Sequence, residues 1–121
     1  MTIPSFGIRV VHDGSATRIS PTGELDIATT PALEQAIADA TADAGAQLVL
    51  DLRELTFMDS TGLRTLAQTN ARAESAGFTL SIVRGSRQIE RVLEISGLGA
   101  LLPLVDAPPD ELSASSSQPS P

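Results

Sequence analysis

The sequence contains one short run of polar side chains that could do chemistry, Asp59-Ser60-Thr61. It directly follows the apolar residues Phe57 and Met58, and it comes just before a pattern typical of a helix. A hydroxyl at a helix start faces unpaired backbone N–H groups and the positive end of the helix dipole, so a phosphate attached to Ser60 could be held there. The alternative is structural, because Asp and Ser are both common helix caps. From these residues alone, both interpretations stay open.

The sequence does not favour catalysis or metal binding. His12 is the only histidine and the chain has no cysteine, so no cluster of metal ligands is predicted. Ser60, His12 and Asp59 could form a catalytic triad on paper, but Ser60 lacks the flanking glycines of a nucleophile elbow. The absence of lysine also excludes Schiff-base chemistry and the lysine of a phosphate-binding loop. We expect no enzyme activity, no metal and no cofactor.

Charge and composition exclude several kinds of partner. Fifteen acidic residues against eight basic ones give a formal net charge of -7, which repels nucleic acids and anionic membrane surfaces. Aromatic residues make up only 2% of the chain, so stacking on bases is not expected either. The amino-terminal residues lack a basic start, and no apolar run approaches the ~20 residues that span a bilayer. We therefore expect a cytoplasmic protein that binds neither nucleic acid nor membrane.

Apolar patterning in the first half of the chain predicts the elements that precede the polar run. Residues 6–22 read as a hairpin, because Asp13-Gly14 supplies the positive φ of a tight turn. Thr30-Pro31 predicts a helix start with Thr30 as the cap, and Gly45 predicts the end of that helix. The nearly continuous apolar run over residues 48–52 predicts a central strand buried on both faces.

The second half of the chain predicts two more helices and two more strands. One helix runs from about Ser60 to Ala76, a strand covers 78–84, and Ser86 caps a helix that Gly97 ends. The buried stripe predicted for the first of these helices consists of Leu63, Leu66, Ala67 and Ala71. A final strand over 101–105 belongs at an edge, because a proline cannot donate to a central ladder. The order is ββαβαβαβ, an α/β fold with a mixed sheet of about four to five strands and helices packed on it.

Composition divides the chain into one domain and a tail. Residues 1–107 have room for a single core. Residues 108–121 are rich in Pro, Ser and acids, with almost nothing to bury, and they are predicted to be disordered.

Three motifs together make a resemblance to a known family specific. Phe57-Met58-Asp59-Ser60-Thr61-Gly62-Leu63, Gly23-Glu24-Leu25-Asp26 and Ser96-Gly97-Leu98 are similar to the signature of STAS-domain anti-sigma factor antagonists. The resemblance covers about residues 6–105, with the motifs in order and suitably spaced. It implies a single STAS-type domain. The family commonly finishes with a helix packed on the sheet, whereas this chain leads into its Ser/Pro-rich end.

The resemblance implies a partner-switching cycle. The unphosphorylated antagonist binds an anti-sigma factor that is also a serine kinase of the GHKL ATPase type, and a sigma factor is thereby released. Phosphorylation of the hydroxyl after the motif's aspartate, Ser60 here with Thr61 as second choice, reverses this, and a PP2C-type serine phosphatase would restore it. The implied partner-binding residues are Asp26, Asp59, Ser60, Thr61, Gly62 and Arg64.

Two residues of this set also have structural explanations. Asp26 could be a solvated or capping acid in the turn before a helix. Gly62 is unfavourable in a first helical turn by ~1 kcal/mol relative to Ala, which suggests close approach of another backbone, either the partner's or that of residues 23–26.

A second function of the protein stays open as an alternative. Standalone STAS domains also resemble accessory subunits of lipid-transport ABC complexes, in which the domain is a structural part bound to an ATPase.

Overall fold

A mixed sheet of six strands with three helices makes up the part of the chain that this computed structural model describes, residues 6–14 and 16–108. The strands are β1 (Gly7–Asp13), β2 (Ala16–Leu25), β3 (Gln47–Asp51), β4 (Leu55–Met58), β5 (Thr79–Val83) and β6 (Leu104–Val105). The helices are α1 (Thr30–Ala40), α2 (Ser60–Ala76) and α3 (Arg87–Ser96), and a short 3-10 turn, Leu98–Ala100, follows α3. The predicted α/β class is confirmed.

The sheet topology places all three helices on one face. The strand order is β1-β2-β3-β5-β6, with β1 antiparallel to β2 and the later strands parallel. Each helix connects one parallel strand to the next in the same direction, and such crossovers are almost always right-handed. Accordingly, Leu33 of α1, Leu66 of α2 and Leu93 of α3 share one core cluster with Leu50 and Ile82 of the sheet.

The predicted order ββαβαβαβ lacks one strand, β4. β3 pairs with residues 16–19 of β2, and β4 pairs with residues 23–25 farther along the same edge of β2. The exposed Arg53 and Glu54 separate β3 from β4, and the backbone N–H of Arg53 turns back to the Asp51 carboxylate at 3.1 Å. β4 ends at Met58, and the polar run Asp59-Ser60-Thr61 follows it directly.

The predicted start and end of α1 need correction. The N-cap residue is Thr29, whose side chain does not cap the helix, while Thr30 is buried. The helix ends at Ala40, and Gly45 lies in the following loop with a φ of +78°. A threonine next to a proline is therefore a correct marker of this helix start, but it does not cap the helix.

The bounds predicted for α2 are confirmed, but part of the prediction of its buried stripe is wrong. Gly77 follows the helix in the left-handed conformation that its position requires. Ala71 is exposed, whereas the side chains of Thr65 and Thr69 are buried together with Leu66. Each buried threonine satisfies its hydroxyl by donating to the carbonyl four residues earlier.

The end of the described chain follows the prediction in outline. Ser86 caps α3 by accepting from the Ile89 N–H at 3.4 Å, and β6 is a short edge strand beside β5. Pro108 is buried, and the remainder of the predicted tail lies outside the described residues. None of the helices within residues 6–14 and 16–108 combines the length and the apolar character needed to cross a membrane.

Candidate functional site

Two adjacent parallel strands bring two of the three sequence motifs together. Leu25 at the end of β2 is paired with Met58 at the end of β4, and the Asp59 N–H donates to the Leu25 carbonyl at 3.2 Å. Because the strands run in the same direction, the residues that follow them, Asp26 and Asp59, emerge at the same edge of the sheet. Motifs about thirty residues apart in sequence therefore form one site. The third motif forms the end of α3, where Gly97 has a φ of +80°.

Asp59 is the N-cap of α2, as the structural interpretation predicts. Its Oδ1 accepts the backbone N–H groups of Thr61 at 2.9 Å and Gly62 at 3.3 Å, and it also accepts the Thr61 hydroxyl. The hydrogen bond from the Thr61 hydroxyl, with those from the backbone, holds the pKa of Asp59 below its ordinary value against a smaller opposing effect of burial. The carboxylate is therefore ionised and faces the positive end of the helix dipole.

The two neighbouring hydroxyls differ in what surrounds them. Ser60 is exposed, and its hydroxyl makes no hydrogen bond with any residue that the structure describes. Thr61 is half-buried, and its hydroxyl is held by Asp59. Of the two, only Ser60 presents a hydroxyl that can react without breaking an existing contact.

Two of the backbone N–H groups that were expected to be unpaired at this helix start are occupied by Asp59. The Asp59 carboxylate takes those of Thr61 and Gly62, and the Asp59 carbonyl accepts the N–H of Leu63 at 3.1 Å. A phosphate on Ser60 could use these donors only by displacing Asp59. Without that displacement, it would extend into solvent beside an ionised carboxylate.

Asp26 organises the turn between β2 and α1. Its Oδ1 accepts the N–H groups of Ala28 at 3.0 Å and Thr29 at 3.2 Å, while its own N–H donates to Thr29 Oγ1 at 2.8 Å. The Thr29 hydroxyl in turn donates to the Glu24 carbonyl at 2.9 Å. The turn is thus held by short-range bonds, and the residue at its tip, Ile27, is 75% exposed. Sequence reasoning missed both Thr29 and Ile27, although a threonine three residues after an aspartate is a usable turn signal.

Gly62 packs inside the domain. A Cβ at this position would lie 2.5 Å from Met58 Cγ and 3.0 Å from Leu25 Cδ2. The expected close approach is therefore real, but it involves side chains at the two strand ends and not another backbone. Gly62 is buried, and because it has no side chain, α2 can pack directly on the ends of β2 and β4.

Arg64 lies one helical turn after Ser60. It is exposed and forms no ion pair within the described part of the chain. The strand ends that precede α1 and α2 carry three acids: Asp26 and Asp59 directly after the strands, and the exposed Glu24 on β2.

His12 is too far away for the triad that could be drawn on paper. It is paired with Thr17 near the start of β2, while Asp59 contacts Leu25 at the end of that strand. At about 3.3 Å per residue, these two points on β2 are roughly 25 Å apart. In residues 6–14 and 16–108, no three His, Cys, Asp or Glu side chains are grouped so that they could hold a metal ion.

Comparisons with known proteins agree on a family. A family model described as "Mlab, STAS domain" matches residues 8–105. The anti-sigma-F factor antagonist RsfB of Mycobacterium tuberculosis (strain CDC 1551 / Oshkosh) is 39% identical over 88 residues, which cover 72% of this chain and 70% of RsfB.

Solved structures share the fold. The crystal structure of an anti-sigma factor antagonist from Mycobacterium paratuberculosis has a TM-score of 0.75 and 33% identity, and the match covers 94% of this chain and 97% of that one. The Bacillus cell fate determinant SpoIIAA in its phosphorylated form has a TM-score of 0.67 at 21% identity, covering 93% and 99% of the two chains.

Proposed function

The chain belongs to the STAS domain family, and on that basis we propose that it is an anti-sigma factor antagonist, a regulatory binding protein and not an enzyme. In this proposal it binds an anti-sigma factor that is also a serine kinase of the GHKL type, and it releases a sigma factor while Ser60 is unphosphorylated. The observation that carries the proposal is the exposed Ser60 hydroxyl, which has no partner among the described residues and stands in a rigid frame made by Asp26 and Asp59.

The proposed contact surface consists of the start of α2 and the Asp26 turn. Asp59, Ser60, Thr61 and Arg64 belong to the first part of this surface, and Asp26 belongs to the second. Its rigidity supports a binding role, because groups that are already held by hydrogen bonds lose little conformational freedom when a partner docks.

The phosphate on Ser60 acts in this proposal by local repulsion. It adds about -1.5 to -2 charges beside Asp59, whose carboxylate already accepts the N–H groups of Thr61 and Gly62. In the free protein the phosphate is solvated and the fold is unchanged. In the complex it must lose that water against a surface that fits a hydroxyl. A penalty of ~3 to 4 kcal/mol would lower affinity by two to three powers of ten, which is enough for a switch.

The test is phosphate transfer from ATP by the purified GHKL-type kinase. Ser60→Ala should incorporate no phosphate while it still binds the kinase. Ser75→Ala, which removes another exposed serine of the same helix, should be phosphorylated normally and serves as the matched control. If Ser60→Ala incorporates phosphate at the stoichiometry of the unaltered protein, Thr61 or another hydroxyl is the acceptor and the proposed site is wrong.

The alternative function, an accessory subunit of a lipid-transport ABC complex, predicts a different result. The matching family model is described as "Mlab, STAS domain", which does not name an anti-sigma factor, so this alternative needs its own experiment. Stable co-purification with a transporter ATPase, at equal yield for the unaltered protein and Ser60→Ala and without phosphate on Ser60, would favour the accessory role.

A further inference from the structure

We infer that Ile27 is the apolar anchor of the contact surface, and that the anti-sigma factor receives it in an apolar pocket with a basic rim. This inference rests on the proposed function and adds to it a residue that lies outside the three sequence motifs. Interfaces of this kind usually have an apolar centre and a polar or charged rim.

The first support is the way in which the fold presents Ile27. Ile27 is 75% exposed, although burial of an isoleucine side chain is energetically favourable. The hydrogen bonds of Asp26 with Ala28 and Thr29 hold the residues on either side of it, so the turn cannot easily fold the side chain inward. Three hydrogen bonds therefore stabilise a turn conformation in which an apolar side chain is exposed to water.

The second support is position. Asp26, the residue before Ile27, follows Leu25, and the Leu25 carbonyl accepts the N–H of Asp59. Ile27 therefore lies on the same edge of the sheet as Ser60 and is continuous with the surface proposed above. A partner close enough to sense a phosphate on Ser60 would also cover Ile27.

The charges near Ile27 identify the kind of partner. Among the described residues, the strand ends beside Ile27 carry the acids Glu24, Asp26 and Asp59, and Arg64 is a base on the adjacent helix α2. A second copy of this chain would place acid against acid, and the chain as a whole carries a net charge of -7. A protein with basic groups around an apolar pocket complements this surface, and a homodimer through it is disfavoured.

Exposure alone would not distinguish Ile27 from other apolar residues on the surface. Ile95 at the end of α3 is 76% exposed, and isolated apolar side chains are common on protein surfaces. Ile27 differs because it belongs to the locked turn beside Ser60. Ile95 is therefore a matched control: it is the same residue type with nearly the same exposure, on a different element.

The experiment measures the dissociation constant between unphosphorylated protein and the purified GHKL-type kinase that phosphorylates Ser60. Ile27→Ala should weaken binding at least tenfold, Ile27→Val should stay within about threefold, and Ile95→Ala should bind like the unaltered protein. Thermal unfolding of the three variants should be nearly unchanged, because neither isoleucine is buried.

Two results would overturn the inference while leaving the proposed function intact. One is an Ile27→Ala variant that binds within about threefold of the unaltered protein. The other is an Ile95→Ala variant that is weakened as much as Ile27→Ala. If the unaltered protein neither binds the kinase nor accepts phosphate on Ser60, the proposed function is wrong, and the anchor role of Ile27 is wrong with it.

Discussion

Replacing Gly62 by alanine tests how tightly α2 is seated on the strand ends. Helix propensity alone predicts that this substitution stabilises the protein by about 1 kcal/mol, because glycine is a poor helix former. The structure predicts the opposite sign. The added methyl group would meet Met58 Cγ at 2.5 Å and Leu25 Cδ2 at 3.0 Å, and both of those side chains are buried.

The magnitude follows from the two opposing effects. Forcing an extra carbon into a packed core costs about 1–3 kcal/mol, because neighbouring side chains must leave their preferred rotamers. Subtracting a propensity gain of about 1 kcal/mol leaves a net loss centred near 1 kcal/mol. In a domain of this size, that loss corresponds to a fall in melting temperature of about 4–8 °C.

Urea unfolding of Gly62→Ala measures this loss, with Gly99→Ala as the control. At Gly99 the nearest atom to an added Cβ is the Leu93 carbonyl oxygen at 3.7 Å, an ordinary contact, so the control should lose no stability. In a Met58→Ala background, the loss caused by Gly62→Ala should shrink, because the colliding side chain is gone. A Gly62→Ala variant that is more stable than the unaltered protein by about 1 kcal/mol would refute the reasoning.

Three further predictions follow from the hydrogen bonds and charges. Asp59→Ala should lower the free energy of unfolding by about 1 kcal/mol, and Asp59→Asn, which keeps a capping oxygen, should lose less in urea unfolding; equal losses would contradict the cap. Burial alone would raise the pKa of Asp51, but hydrogen bonds and charge from Arg53 outweigh it and lower that pKa. The resulting stabilisation is complete above about pH 4 and is lost as the pH falls through the folded-state value, so Asp51→Asn should flatten the stability profile in that acid range, and an unchanged profile would count against the ion pair. Phosphate on Ser60 should shift backbone NMR signals only near Asp26 and in residues 59–66, whereas shifts throughout the sheet would indicate a conformational switch.

The parts of the fold that local chemistry specifies were predictable. The bounds of α2 follow from Asp59 and Gly77, which supply a cap at one end and a left-handed residue at the other. The hairpin follows in the same way from Gly14, which has a φ of +64°. In each case, the residues that determine the feature are close together in the sequence.

The missed features depend on partners that are distant in sequence or on polar groups that are satisfied locally. β4 is a strand because of its pairing with the end of β2, and the exposed residues before it hide its continuity with β3. Apolar periodicity does not identify Thr65 and Thr69 as buried, because threonine is polar. The two residues can be buried because their hydroxyls donate to the helix backbone.

At the site, the family resemblance implied that Asp26, Asp59 and Ser60 belong to one contact surface; the structure places Asp26 and Asp59 after adjacent strand ends, and their role in binding stays a prediction. The sequence motifs could not show which N–H groups Asp59 occupies, because that depends on a side-chain rotamer. They also could not show that Ile27 remains exposed, because an apolar residue in a turn has the same local pattern whether it packs inward or outward.

The location of Ser60 in the first turn of α2 also determines what a modifying enzyme has to recognise. The serine follows a strand end and a capping carboxylate, and a short peptide with the same residues would not maintain a helix in water, since isolated helices of that length are marginal. A kinase acting here would therefore recognise a three-dimensional surface and not a linear sequence. Under the proposed function, unfolding of the domain would therefore remove the surface that the kinase recognises.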